Sequence, residues 1–217
     1  MPLIQASVEK LGFKFTDIKV LLISHAHSDH CAGSAAIKQL TKAQDCVMQG
    51  DATTIETGGG KKTRISKGDY TKFPPAKVDR ILKDGDEVKL GGSVLVAHLT
   101  PGHTPGCTTW TMQVKEGQKT LNAVIIGSPN VNPGYILVNN PTYPSIATDY
   151  EQCFRVLNAL PVDLFLGAHG GYYGMTEKHK RLGKDSTNPF IDPDGYHRYV
   201  TEKEQAFRTE WARQKSK

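Results

Sequence analysis

The stretch Ser24-His25-Ala26-His27-Ser28-Asp29-His30 constrains the rest of the 217-residue chain more than any other. Three imidazoles and a carboxylate fall within six residues, directly after the apolar run Val20-Leu21-Leu22-Ile23. A short run of β-branched and leucine residues reads as a buried strand, and His25 stands where it opens into a loop. Alternate residues there point the same way, so His25 and His27 can converge on one ion. Asp29 and His30, beyond the turn, can face a second. Imidazole nitrogen and carboxylate oxygen are the donors that zinc takes at open, catalytic sites, whereas structural zinc is usually closed by thiolates. A single histidine after a strand is ordinarily a polar loop residue. Four donors this close would leave unpaired polar groups if they were merely packed, so the segment reads as metal-binding.

The length suits one substantial core, and residues 1–217 are expected to form a single domain. Lys and Arg are spread along the chain, and a net charge of +5 reads as a solvated surface rather than a nucleic-acid interface. Cys31, Cys46, Cys107 and Cys153 contain no C-x-x-C pair, which argues against a thiolate cluster; they are either free or joined in up to two bridges. No apolar run approaches the ~20 residues of a membrane span. The first residues, Met1-Pro2-Leu3-Ile4-Gln5, lack the basic-then-apolar pattern of an export signal.

Helical spacing is expected over residues 3–12, a strand over 19–24, a helix over 32–43 and a short strand at Cys46-Val47-Met48-Gln49. A short helix then runs from Gly50 to a glycine-rich break at Gly60, and Lys61 to Lys77 reads as an irregular loop. From Asp79 the pattern turns to β. Strands at 87–90 and 93–99 flank the hairpin signal Gly91-Gly92, and strands at 108–114 and 121–126 turn at Glu116-Gly117. An amphipathic helix over 145–160, a buried strand over 162–166 and a terminal helix over 202–213 complete the pattern. Mixed elements of this kind suggest sheets covered by helices.

Two further histidines sit where strands end. His103 lies in Pro101-Gly102-His103-Thr104-Pro105-Gly106, and His169 in Leu166-Gly167-Ala168-His169-Gly170-Gly171. With the first stretch they bring the donors to six, enough for two metals with three protein ligands each and open positions for water. His98 reads as a satisfied strand histidine, His179 and His197 as surface, Trp110 as core and Trp211 as a packing residue. Tyr172 and Tyr173 either line the pocket or pack.

These three motifs, in this order through nearly the whole chain, are similar to those of the metallo-beta-lactamase superfamily. The resemblance implies an α/β fold, a four-layer αβ/βα sandwich with two Zn(2+) ions where the sheets meet. It implies His25, His27 and His103 at the first zinc and Asp29, His30 and His169 at the second. Related hydrolases that resemble the chain in the same motifs usually place a bridging Asp after the strand ending at Ile126. Here Gly127-Ser128-Pro129-Asn130 follows it, with no carboxylate. That pattern, with Asn132-Pro133-Gly134-Tyr135, is most similar to the third subclass of metallo-beta-lactamases. Members begin with an export signal and further N-terminal strands, so part of the first half is expected to be missing.

The implied activity is hydrolysis of the beta-lactam amide of antibiotics by a hydroxide shared between two zinc ions. Asp29 is the expected catalytic carboxylate, and Ser128 and Asn130 would contact the substrate carboxylate. Ser128 reads equally as a strand-end turn residue. The resemblance further implies a monomer acting on small molecules in antibiotic resistance, without nucleic-acid or membrane partners. It implies a periplasmic location, or a cytoplasmic one if the chain is made as given. The alternatives are a thioesterase, lactonase or phosphodiesterase of the same superfamily, with Asp149 or Asp163 as bridging acid, and a non-catalytic zinc-binding protein.

Overall fold

The computed structural model describes residues 2–59 and 72–217. The N-terminal helix α1 (Pro2–Lys10) leads through a 3-10 turn at Phe15–Asp17 into β1 (Val20–Leu22). A single helical turn α2 (Ser28–Cys31), α3 (Ser34–Thr41), β2 (Gln44–Met48), α4 (Gln49–Thr57) and β3 (Arg80–Leu82) follow. The strands β1, β2 and β3 form a parallel sheet in that order. The second sheet is built from β4 (Glu87–Leu90), β5 (Ser93–Leu99), β6 (Thr108–Glu116), β7 (Lys119–Ile126) and β8 (Leu164–Gly167). It is antiparallel except for the β7–β8 pair, whose parallel crossover is the helix α5 (Ile146–Ala159). A parallel pair needs such a long connection, while β4–β5 and β6–β7 are joined by tight turns and β5–β6 by the longer loop that carries His103.

Apolar clusters hold four layers together. Val47 on β2 packs with Ala52 and Ile55 of α4 and with Cys31, outside the first sheet. On its other face, Cys46, Met48 and Leu82 meet Val88, Ala97 and Trp110 of the second sheet. This alternation along β2 follows from the two-residue period of a strand buried on both faces. Beyond the second sheet, Val124, Ile126 and Phe165 pack against α5 and the terminal helix α7 (Pro193–Lys215). This is the four-layer αβ/βα arrangement the motifs implied.

Several boundaries differ from the sequence reading. The helix expected over 202–213 starts at Pro193, because the Asp192 carboxylate caps it by accepting from the Gly195 N–H at 2.8 Å and Pro193 occupies the first turn. Its early turns carry Tyr196, Tyr199 and Val200 into the core. A helix at Met175–Arg181, α6, was not expected and carries His179, which read as surface. Most of the loop expected over Lys61 to Lys77 lies outside the described residues. The four cysteines are all free and buried. Helix α1 buries none of its residues, and Leu3, Leu11 and Phe13 are exposed. No helix among the described residues is long and apolar enough to cross a membrane.

Candidate metal centre

The loops after β1, β5, β7 and β8 leave the carboxyl ends of their strands at one rim, where the two sheets meet. Two hydrogen bonds seat the first of them. The Thr108 N–H donates to the Ser24 carbonyl at 2.7 Å, and the Trp110 indole donates to the Ile23 carbonyl at 3.1 Å. The β1 end is thus fastened to β6 on the opposite sheet. His25, the next residue, is buried with 1% of its surface exposed. Beyond His27 the chain was expected simply to turn. It instead forms the turn α2, with His27 at the N-cap position, and so swings His30 back until its Nδ1 lies 3.2 Å from Ser24 Oγ.

His103 is held from behind. Its Nδ1 lies 2.8 Å from the Asn130 carbonyl oxygen, which can only accept, so Nδ1 carries the proton and Nε2 keeps its lone pair. Tyr150 Oη donates to the same carbonyl at 2.6 Å, and Tyr135 Oη donates to the His103 carbonyl at 2.8 Å. Gly102 makes this possible. Its φ is +123°, and a Cβ there would lie 2.6 Å from the Tyr150 ring.

The six donors fall into two groups, His25 with His27 and His103, and Asp29 with His30 and His169. Within each group the donor atoms lie within 4.8 Å of one another. Two observations fit a cation to them. His25 Nε2 is buried without a hydrogen-bond partner, which costs free energy unless a ligand satisfies it. His30 Nε2 and His169 Nε2 lie 2.9 Å apart, with Asp29 Oδ2 at 3.2 and 3.6 Å from them. The two rings share at most one proton at this distance, and with the carboxylate beside them they form a donor set that a cation would satisfy.

The electrostatics keep the rings ready to ligate. Burial pushes the His25 pKa far below its ordinary value, with further lowering from His103, His30 and His27. Burial, then His27, lowers His103 to about 3, against the hydrogen bond to Asn130. His30 is lowered by burial while Asp29 opposes the shift. A neutral imidazole has the lone pair that a metal needs.

Ser128 and Asn130 lie beside these groups without joining them. Ser128 is buried, and its Oγ is 3.0 Å from Tyr172 Oη. Asn130 Nδ2 donates to Tyr172 Oη at 2.7 Å and to Ser128 Oγ at 3.2 Å. The Tyr172 ring packs beside His169, with centroids 5.1 Å apart. Asp149 and Asp163 are in neither donor group. Asp149 accepts from Ser145 Oγ in the first turn of α5. Asp163 accepts from Asn122 N–H and Nδ2 at 2.8 and 3.0 Å, at the end of β8 remote from His169.

Of the other singled-out residues, His98 Nε2 is satisfied by Thr111 Oγ1 at 2.8 Å and Trp110 is in the core. His179 and His197 are exposed. Trp211 stacks on Phe207, and Tyr173 packs between Phe165 and Phe190. The sequence reading gave no site role to Asp51, Thr104 or Tyr150. Each acts through a partner distant in sequence, and no local pattern marks that role.

The model of the metallo-beta-lactamase superfamily matches residues 2–116. Among solved structures, the native metallo-beta-lactamase from Legionella gormanii is 51% identical, with a TM-score of 0.95. The match covers 100% of this chain and 82% of that one. A subclass B3 metallo-beta-lactamase of Bradyrhizobium japonicum is 39% identical with a TM-score of 0.91, covering 99% of this chain and 80% of that one. Among curated proteins, the human mitochondrial persulfide dioxygenase is 25% identical over 156 residues, 70% of this chain and 49% of its own length. A hydroxyacylglutathione hydrolase of Rhodopseudomonas palustris is 30% identical over 101 residues, 46% of this chain and 31% of its own length. The chain thus spans a third to a half of the curated relatives it matches.

Proposed function

This chain belongs to the metallo-beta-lactamase superfamily, and on that premise we propose that it hydrolyses the amide bond of beta-lactams with two zinc ions. The observation that carries the reading is the donor inventory of the rim: two groups of three, and a buried serine rather than a carboxylate after β7. The 51% identity to the Legionella enzyme across the whole chain supports the choice of substrate.

His25, His27 and His103 would hold one ion and Asp29, His30 and His169 the other. Bound zinc would supply Lewis acidity, which brings the pKa of water toward about 7 and polarises a carbonyl. The protein's own groups do the rest. Asp29 is the only carboxylate in the donor set, so its oxygens can orient the attacking water and take its proton. His30, once its lone pair is engaged, cannot. Within the Ser128, Asn130 and Tyr172 trio the amide hydrogens are donated internally, which leaves one hydroxyl hydrogen that would turn toward the substrate carboxylate and fix its orientation. The burial of His25 and His103 excludes water from the inner side of the site. A periplasmic location and a part in antibiotic resistance belong to this same reading.

A second reading keeps the enzyme and changes the substrate to a thioester, as the name of the hydroxyacylglutathione hydrolase suggests. Turnover of nitrocefin and of an acylglutathione thioester, each with and without a chelator, separates the two. Chelator-sensitive nitrocefin hydrolysis is expected. Chelator-sensitive thioester hydrolysis alone would overturn the first reading, and zinc-loaded protein inert toward both would overturn the enzyme.

A further inference from the structure

Asp51 is the third residue of α4 and is buried with 1% of its surface exposed. It belongs to neither donor group. Burying a carboxylate costs several kcal/mol unless hydrogen bonds replace its water, and here three donors do so. Oδ2 accepts from the Ala26 N–H at 2.8 Å and from Thr104 Oγ1 at 2.7 Å, and Oδ1 accepts from the Gly106 N–H at 2.8 Å. Ala26 sits between His25 and His27, and Thr104 follows His103. One carboxylate therefore ties together the two loops that supply the first donor group, although these loops belong to opposite sheets.

The backbone is shaped for this contact. A Cβ at Gly50 would lie 2.4 Å from the Pro105 carbonyl carbon and oxygen, and one at Gly106 would lie 2.4 Å from the Asp51 nitrogen. Two residues without side chains let the start of α4 meet the His103 loop backbone to backbone. This close approach leaves Asp51 Oδ1 facing the Gly106 N–H, while Oδ2 reaches the Ala26 N–H.

We propose that Asp51 is a positioning residue for the first metal: its buried carboxylate sets the separation of His25 and His27 from His103 without touching the ion. Asp51→Asn keeps the shape but turns one acceptor oxygen into a donor. Whichever way the amide is placed, it confronts either the Ala26 or the Gly106 N–H, and that buried donor loses its partner. Thr104 can rotate its hydroxyl, but a backbone N–H cannot. The second group has no such tie to Asp51, so the effect should be confined to the first.

The inference rests on the ligand assignment above, and the experiment separates the two. Metal-free parent, Asp51→Asn and Thr104→Val are titrated with zinc against a chromophoric chelator, and with Co(II) while its visible spectrum is followed. Thermal unfolding of the metal-free proteins is measured alongside. A parent that binds no metal would sink the ligand assignment itself. With a parent that binds two ions, Asp51→Asn should weaken one binding event by roughly 10–100-fold, the scale for partners that orient ligands. The other event should stay within about twofold of the parent, and the Co(II) band of the weakened site should shift. Equal weakening at both sites together with a lower unfolding temperature would make Asp51 a general structural residue and overturn the proposal. So would unchanged affinities with an unchanged spectrum. Should Asp51→Asn not fold, Thr104→Val decides: a weakening confined to the same site is expected, and none overturns it.

Discussion

The two donor groups are built alike and surrounded differently. Each draws two donors from the segment after β1 and one from a loop of the second sheet, His103 or His169. In the first group His25 and His103 are 1% and 4% exposed. In the second, the side chains of Asp29 and His169 are 60% and 47% exposed. The first group is braced from behind by Asp51, Asn130 and Tyr135, whereas the exposed donors of the second are held mainly by one another. The difference teaches that holding a metal and handling a proton favour opposite surroundings. Burial and fixed tautomers suit ligation, and an open carboxylate suits exchange with water and substrate.

The largest effect should come from the open side. Asp29→Asn keeps the shape and removes the charge, so kcat for nitrocefin should fall by roughly 10²-fold or more, the usual scale for loss of a general base. Metal analysis should find the first ion retained and the second weakened. Parent-like turnover with both ions bound would break the comparison, because the exposed carboxylate would then have no special part.

Truncation of the third donor in each group tests burial directly. His103→Ala should empty mainly the first site and His169→Ala mainly the second. The metal-free proteins should differ too. Removing the His103 ring opens a cavity under Tyr135 and strips the Asn130 carbonyl of one of its two donors, which should cost roughly 1–3 kcal/mol in denaturant unfolding. Removing half-exposed His169 should cost about 0.5 kcal/mol or less. Equal losses would show that both groups are supported alike.

Ser128→Ala sharpens the comparison at the boundary between the groups. A hydrogen bond to a charged carboxylate is worth about 1.5–3 kcal/mol, or roughly ten- to a hundred-fold in affinity. KM for a carboxylate-bearing substrate should rise on that scale with kcat less affected. An unchanged KM would leave Ser128 as a turn residue held by Tyr172.

The sequence revealed most about elements whose cause is local. The period-two runs of β5, β6 and β7, the Gly91-Gly92 turn and the face of α5 declare themselves within a few residues, and the structure has them within one to two residues or so. The six donors were legible because four are adjacent and the other two sit in glycine-rich loops after strands. What could not be read is whatever depends on a partner far along the chain. Asp51 is 25 residues from Ala26 and 53 from Thr104, and nothing in Gly50-Asp51-Ala52 marks it as more than the start of a helix. The early turns of α7 were missed for a related reason. Gly195 argues against a helix by propensity, and the Asp192 cap with Tyr196 packed at Leu157 outweighs it.

The smallest expected effect is a difference in the order of metal release with pH. In the metal-free protein His103 is lowered to about 3 by burial, and His25 is lowered further by burial and its neighbouring imidazoles. An imidazole that stays neutral to such low pH binds few protons in the folded chain while the unfolded chain takes them up below about 6.5. The depressed folded pKa therefore contributes stability above pH 6.5, and that contribution fades as pH falls toward 3. Metal held by these rings would give way to protons only at low pH. In the second group burial also lowers His30 but Asp29 opposes the shift, and protons are expected to compete there sooner. Lowering pH stepwise from 7 at fixed total zinc, with free metal followed by a chromophoric chelator, should release one equivalent before the other. In His169→Ala, where the second site is already weakened, the early release should be lost while the late one stays. Simultaneous release in the parent, or a late step that vanishes in His169→Ala, would mean that burial does not distinguish the two groups.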